Sequence, residues 1–95
     1  MIKPTVGRVV LYYRRGKTQF DANEQPEAAT VAYVHSDTRV NLGVVDRHGV
    51  QFPMASVFLY QGEGERPEHE YAEWMPYQKA VAAGTTLPTL HAAKE

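Results

Sequence analysis

Between Ala28 and Tyr60 the chain alternates apolar and polar residues in short runs, and turn residues separate the runs. A two-residue period is the mark of strands with one buried face. The first run, Gly7 to Tyr13, is apolar on both parities, as expected of a strand covered on both sides or using one face for binding. Arg14-Arg15-Gly16-Lys17 reads as a turn, with Gly16 supplying a positive φ. Residues 18–27 are polar apart from Phe20 and read as a loop with one apolar tether. A second strand is expected over Ala28 to His35 and a third over Arg39 to Val45, joined by the turn Ser36-Asp37-Thr38. Strict alternation puts Thr30, Ala32, Val34, Val40, Leu42 and Val44 on a core face. It puts Val31, Tyr33, His35 and Asn41 on the other.

Asp46-Arg47-His48-Gly49 reads as a type I turn closed by a left-handed glycine. A fourth strand starts at Val50. Pro53 predicts a bend, bulge or edge, and Ser56 to Tyr60 continues that strand or forms a fifth. Residues 61–67 have the composition of a linker. Pro76 at a first helical position, the helix formers after it and Gly84 as a C-terminal cap predict a helix over 76–83. The sum is a mainly β single domain over residues 1–84: a small SH3-like barrel, or a strongly bent antiparallel sheet of four to five strands, with a short C-terminal helix. Residues 85–95 read as a weakly structured tail.

Composition narrows the class of function. The 95 residues are 43% hydrophobic and 22% charged, which fits one globular domain. The formal net charge of −1 provides no global basic field for nucleic acid. There is no cysteine, hence no disulfide or thiolate metal site, in keeping with a reducing cytoplasm. No stretch has the roughly 20 apolar residues of a membrane helix. Charge is unevenly spread: Lys3, Arg8, Arg14, Arg15 and Lys17 open the chain, and Glu63, Glu65, Glu68, Glu70 and Glu73 crowd a later segment.

Catalytic signatures are weak. His35-Ser36-Asp37 has the residue types of a hydrolase triad, but adjacent side chains in a strand and turn point apart. His35, His48, His69 and His91 have no zinc-ligand spacing, so neither a metal nor a cofactor is expected. Gly62-Glu63-Gly64 lacks the third glycine and following helix of a phosphate loop. The chemistry that remains is that of binding. Tyr12, Tyr13, Tyr33, His35, Trp74 and Tyr77 carry flat rings that stack on bases or form core. Asn41, a residue type depleted in strands, can read a base edge. Arg14, Arg15 and Lys17 can neutralise phosphate. The expected ligand-binding set is Tyr12, Arg14, Arg15, Tyr33, His35, Asn41 and Trp74, unless Trp74 and the C-terminal helix close over Tyr33, His35 and Asn41 as a second small core.

Several stretches also resemble short proteins encoded by tailed bacteriophages and prophages. They are Lys3-Pro4-Thr5-Val6-Gly7-Arg8-Val9-Val10, Gln25-Pro26 leading into Val31–Val34, His35-Ser36-Asp37-Thr38, Val40-Asn41-Leu42, Ser56-Val57 and Glu73-Trp74-Met75-Pro76. The resemblance covers roughly residues 1–77, and its motifs are structural, not catalytic. It implies a phage accessory protein in the cytoplasm of an infected host. The expectation is a non-enzymatic, oligomeric binder that sequesters a nucleotide-type immune signal. The alternatives are an SH3-like adaptor for protein or nucleic acid, or a minor structural protein of the virion.

Overall fold

Five strands close into one sheet in the order β1-β2-β3-β4-β5 in a computed structural model, which describes residues 1–82 and Gly84. They are β1 (Val9–Tyr13), β2 (Glu27–Ser36), β3 (Arg39–Val45), β4 (Gln51–Tyr60) and β5 (Tyr71–Trp74). Two short helices accompany them, α1 (Lys17–Asp21) and α2 (Pro76–Ala82). The fold is mainly β, a small closed barrel of SH3-like type. All neighbours pair antiparallel except β4 and β5, which meet in parallel through Leu59 opposite Ala72 and Tyr60 opposite Glu73. Among the described residues no helix is long and apolar enough to cross a membrane. The tail expected over 85–95 lies outside the described residues.

The barrel interior is filled by alternate residues of every strand: Val10 and Tyr12; Ala29 and Val31; Val40, Leu42 and Val44; Val57 and Leu59; Ala72 and Trp74. Alternation in β3 runs as the sequence predicts. In β2 it does not. Thr30 and Ala32, expected in the core, are exposed, and Ala29 and Val31 are buried instead. Val31 pairs with Leu42 and Tyr33 with Asn41, so Ala32 is an extra residue with no partner. This bulge reverses the parity of the strand halfway along. Val34 then packs against the core, and Tyr33 and His35 point outward.

A second bulge lies on the other side of β3. Val40 pairs with Val57 and Leu42 with Met54, so both Ala55 and Ser56 face Asn41. Ser56 takes φ of 56°, a left-handed conformation uncommon for a residue with a side chain. Pro53 does not end the strand; it pairs opposite Gly43 within a continuous ten-residue β4.

β5 and the C-terminal part of β1 are covered on their outer faces as well. Tyr13 stacks on Tyr71 with centroids 5.1 Å apart, Tyr60 meets Tyr71 edge-on at 6.0 Å, and Phe20 of α1 meets Tyr13 edge-on at 5.8 Å. This layer explains why β1 is apolar on both parities. Helix α1 is too short to show a period in the sequence. It forms where the Gly16 carbonyl accepts from the Gln19 and Phe20 amides. Buried Gln19 then closes the loop, accepting from the Arg15 amide and donating to the Gln25 carbonyl.

Gly16 has φ of 67°, and a methyl group there would sit 2.7 Å from the Glu68 carbonyl carbon and also against the His69 carbonyl oxygen. Both neighbours are backbone and cannot swing away. Gly16→Ala is therefore expected to destabilise the barrel by about 3 kcal/mol or more, measured by urea unfolding, where an exposed left-handed glycine would cost about 1 kcal/mol.

Candidate functional site

The outer face of β2, β3 and the first part of β4 lies outside the aromatic layer, which β4 joins from Phe58 on, and the expected binding residues divide around it. Tyr33 is 56% exposed, and its ring meets His35 edge-on at 4.9 Å. Asn41 lies opposite Tyr33 in the next strand. Its Oδ1 accepts the Ser56 amide at 2.7 Å and lies 2.9 Å from His35 Nε2. The Ser56 N–H fixes which end of the carboxamide points inward. His35 Nε2 must then carry a hydrogen and donate to the same oxygen. Asn41 Nδ2 donates to no described residue, so it faces outward as a free donor.

Arg39 completes this group from the far end of β3. Its Nη1 donates to the Ser56 carbonyl at 3.0 Å, and its guanidinium lies 5.8 Å from the Phe58 ring centroid. Asn41 and Arg39 thus hold the two backbone groups of the bulged Ser56. No carboxylate among the described residues pairs with Arg39. The sequence signal for it was parity: residues 39 and 41 share a face.

Tyr12 and Trp74, expected to stack on a ligand, are core. Tyr12 points into the barrel and donates its hydroxyl to Glu70. Burial first, and the Glu70 bond second, hold that hydroxyl well above the ordinary tyrosine range. Trp74 is 2% exposed and donates its Nε1–H to Gln61 Oε1 at 3.2 Å. It neither covers Tyr33 nor joins it. The parity of β5 sends Trp74 inward with Ala72.

The basic turn stands apart. Arg14 makes a forked pair with Glu27 at 2.9 and 2.7 Å, Arg15 pairs with Glu24, and Lys17 reaches Glu65 at 3.2 Å. Glu27 opens β2, six residues before Tyr33, a separation of roughly 20 Å along a strand. Ring and cations therefore do not assemble into one site, contrary to the ligand-binding set expected from the sequence. Arg14, Arg15 and Arg47 instead wall a groove of about 870 Å³, together with Glu24, Glu27, Asp46, Ala28 and Val45.

One polar cluster was not anticipated. Glu73 is 3% exposed on the outer side of β5. Arg66 grips it with two bonds of 2.9 Å, and Lys79 of α2 adds a third at 2.8 Å. The Arg66 guanidinium also lies 3.5 Å from the Phe20 ring centroid. Burial by itself would push the Glu73 carboxyl up; the two cations outweigh it and hold the carboxyl below the ordinary glutamate range. A carboxylate gripped this fully acts as a clasp between β5, α2 and the β4–β5 connection. Its acid-rich surroundings in the sequence gave no sign of that role.

Comparison with known proteins adds no family: the chain matches no protein-family model, no curated protein and no solved structure.

The Glu73 clasp gives a pH signature. Its folded pKa lies below its unfolded value, so its contribution is present above about pH 4.5 and is lost as pH falls through the folded value. Glu73→Gln should cost about 2–3 kcal/mol at pH 7, less than a fully buried pair because Arg66 and Lys79 reach water. Urea unfolding from pH 7 down to pH 3 should show the wild-type advantage over the variant shrinking below pH 4.5. An advantage that stays constant would contradict the charged clasp.

Proposed function

We propose that the chain is a non-enzymatic binding protein that captures a nucleotide-type ligand on the outer face of β2, β3 and β4. The observation that carries this reading is the exposed Tyr33–His35 ring pair, set beside an asparagine whose Oδ1 is already engaged. Tyr33 has a ring face open for stacking on a base. Asn41 Nδ2 can donate to an acceptor on the base edge. Arg39, and not Arg14 or Arg15, supplies charge for a phosphate beside the stacked ring. His35 edge-on against Tyr33 fixes the orientation of the platform.

The resemblance to phage accessory proteins gives this chemistry a setting. A protein that holds a nucleotide immune signal intact needs affinity and no reacting group. A single barrel offers only a shallow face, and a second copy set against it would deepen the site, which favours a homo-oligomer.

Isothermal titration calorimetry against AMP, ADP-ribose and cyclic dinucleotides tests the reading. At least one should bind, and Tyr33→Ala should weaken it about tenfold or more, since stacking on one ring contributes about 1–3 kcal/mol. The melting temperature should not fall, because Tyr33 is exposed and belongs to neither core cluster. Absence of heat with every nucleotide, or equal binding by the variant, would refute the proposal.

A further inference from the structure

The Tyr33 platform and the arginine groove are two ends of one surface. Ala28 and Val45 line the groove and pair with each other across β2 and β3. Thr30 and Gly43 form the next pair outward on the same face, and Tyr33 and Asn41 the next. From Val45 to Arg39 the strip runs six residues of β3, about 20 Å. Its centre is low. Gly43 has no side chain, and the Gln51 amide Nε2 lies 2.7 Å from where one would begin. A second carboxamide thus lies flat on the sheet between the two ends, with no protein partner among the described residues. Apart from that carboxamide, the strip between Val45 and Tyr33 presents only Ala28, Thr30, Ala32 and Gly43.

The charge along the strip is placed at its ends. Arg39 lies at one end without a carboxylate. At the other, Arg14 and Arg15 are held by Glu27 and Glu24, but Arg47 on the β3–β4 turn is exposed and pairs with no described residue. Asp46, its neighbour in the chain, turns Oδ1 to its own loop, accepting the His48 and Val50 amides at 2.8 and 2.9 Å. A ring platform, two carboxamides along the strip and a free cation at each end suit a chain of bases and phosphates, not one unit. A mononucleotide that stacks on Tyr33 cannot also reach Arg47.

We infer that the outer strip of β2 and β3, from Tyr33 and Arg39 to Arg47, is a track for a single-stranded nucleic-acid segment of roughly four nucleotides, near the lower end of the site sizes of small barrels. The inference rests on the proposed Tyr33 platform and extends it. One base stacks on Tyr33, the following sugar–phosphates cross the Thr30–Gly43 floor, and a phosphate at the far end meets Arg47. The carboxamides of Asn41 and Gln51 meet base edges on the way, which gives mild sequence preference. The groove walls formed by the Arg14–Glu27 and Arg15–Glu24 pairs steer the strand without binding it.

Fluorescence anisotropy with labelled oligonucleotides of one to eight nucleotides, as DNA and as RNA, tests the track. Affinity should rise with length and level off at about four nucleotides. The logarithm of affinity should fall against the logarithm of salt with a slope of about −1.4, two phosphate contacts on a single strand. Arg47→Ala should weaken the four-nucleotide ligand about tenfold and bring the slope to about −0.7, with an unchanged melting temperature. Equal affinity for one and four nucleotides, with Tyr33→Ala still weakening both, overturns the track and leaves the Tyr33 platform standing. Tighter binding of an acidic peptide of equal charge, with no gain from oligonucleotide length, overturns the track in favour of a peptide groove. No binding at any length, with mononucleotides also silent, removes both the track and the platform.

Discussion

A single carboxamide stands where the sheet bends. Asn41 lies in β3 between two bulges, Ala32 in β2 on one side and Ala55–Ser56 in β4 on the other. Each bulge adds a residue to its strand and increases local twist, and two at the same level turn a flat meander into a barrel wall. A bulge frees backbone groups that the ladder would have paired. Asn41 Oδ1 takes the Ser56 N–H, and Arg39 takes the Ser56 carbonyl, so the left-handed Ser56 is held from both sides. The same bend decides what faces outward. With Ala32 extra, Val34 turns in and Tyr33 and His35 turn out. The exposed Tyr33–His35 face is thus a consequence of how the barrel closes.

The rest of the outer surface is committed to stability. β5 and the C-terminal part of β1 bury both faces, one in the barrel and one under the layer of Tyr13, Tyr60, Tyr71 and Phe20. The clasp of Glu73 with Arg66 and Lys79 seals that layer where β4 and β5 make only a short parallel contact. Gln61 does the same beside it, lining one cavity with Arg66, Glu73 and Lys79. Its amide donates to the Ile2 and Asp37 carbonyls and accepts from the Ile2 amide and the Trp74 indole, which joins the N-terminus, the β2–β3 turn and β5. With those faces closed, the β2–β4 surface is where the barrel offers rings and free donors together.

Much of the fold was legible in the chain. The Asp46–Gly49 turn, the limits of β3, the positive φ of Gly16 and the C-terminal helix beginning at Pro76 follow from local chemistry: turn residues, alternation and proline geometry. What was not legible depends on partners distant in sequence. Strict alternation cannot show the bulge at Ala32, because an extra residue is visible only against Leu42 and Asn41. β5 is four residues long and buried throughout, so it has no period to read. The roles of Tyr12 and Trp74 were open between core and ligand, and the register of β1 with β5 puts both inside. Asn41 did stand out, as an amide in a strand, and it proves to be both a structural clamp and part of the candidate face. Arg39 was missed because its sequence neighbours form a turn; only the fold brings it beside Ser56 and Phe58.

The most direct test of the proposed binding face is chemical-shift mapping by NMR during titration with a nucleotide. Ligand capture on this face predicts perturbed amides at Tyr33, His35, Arg39 and Asn41, and a shifted side-chain amide for Asn41 Nδ2. Perturbations gathered instead around Arg66, Glu73 and Trp74, with Tyr33 and Asn41 unmoved, would contradict it.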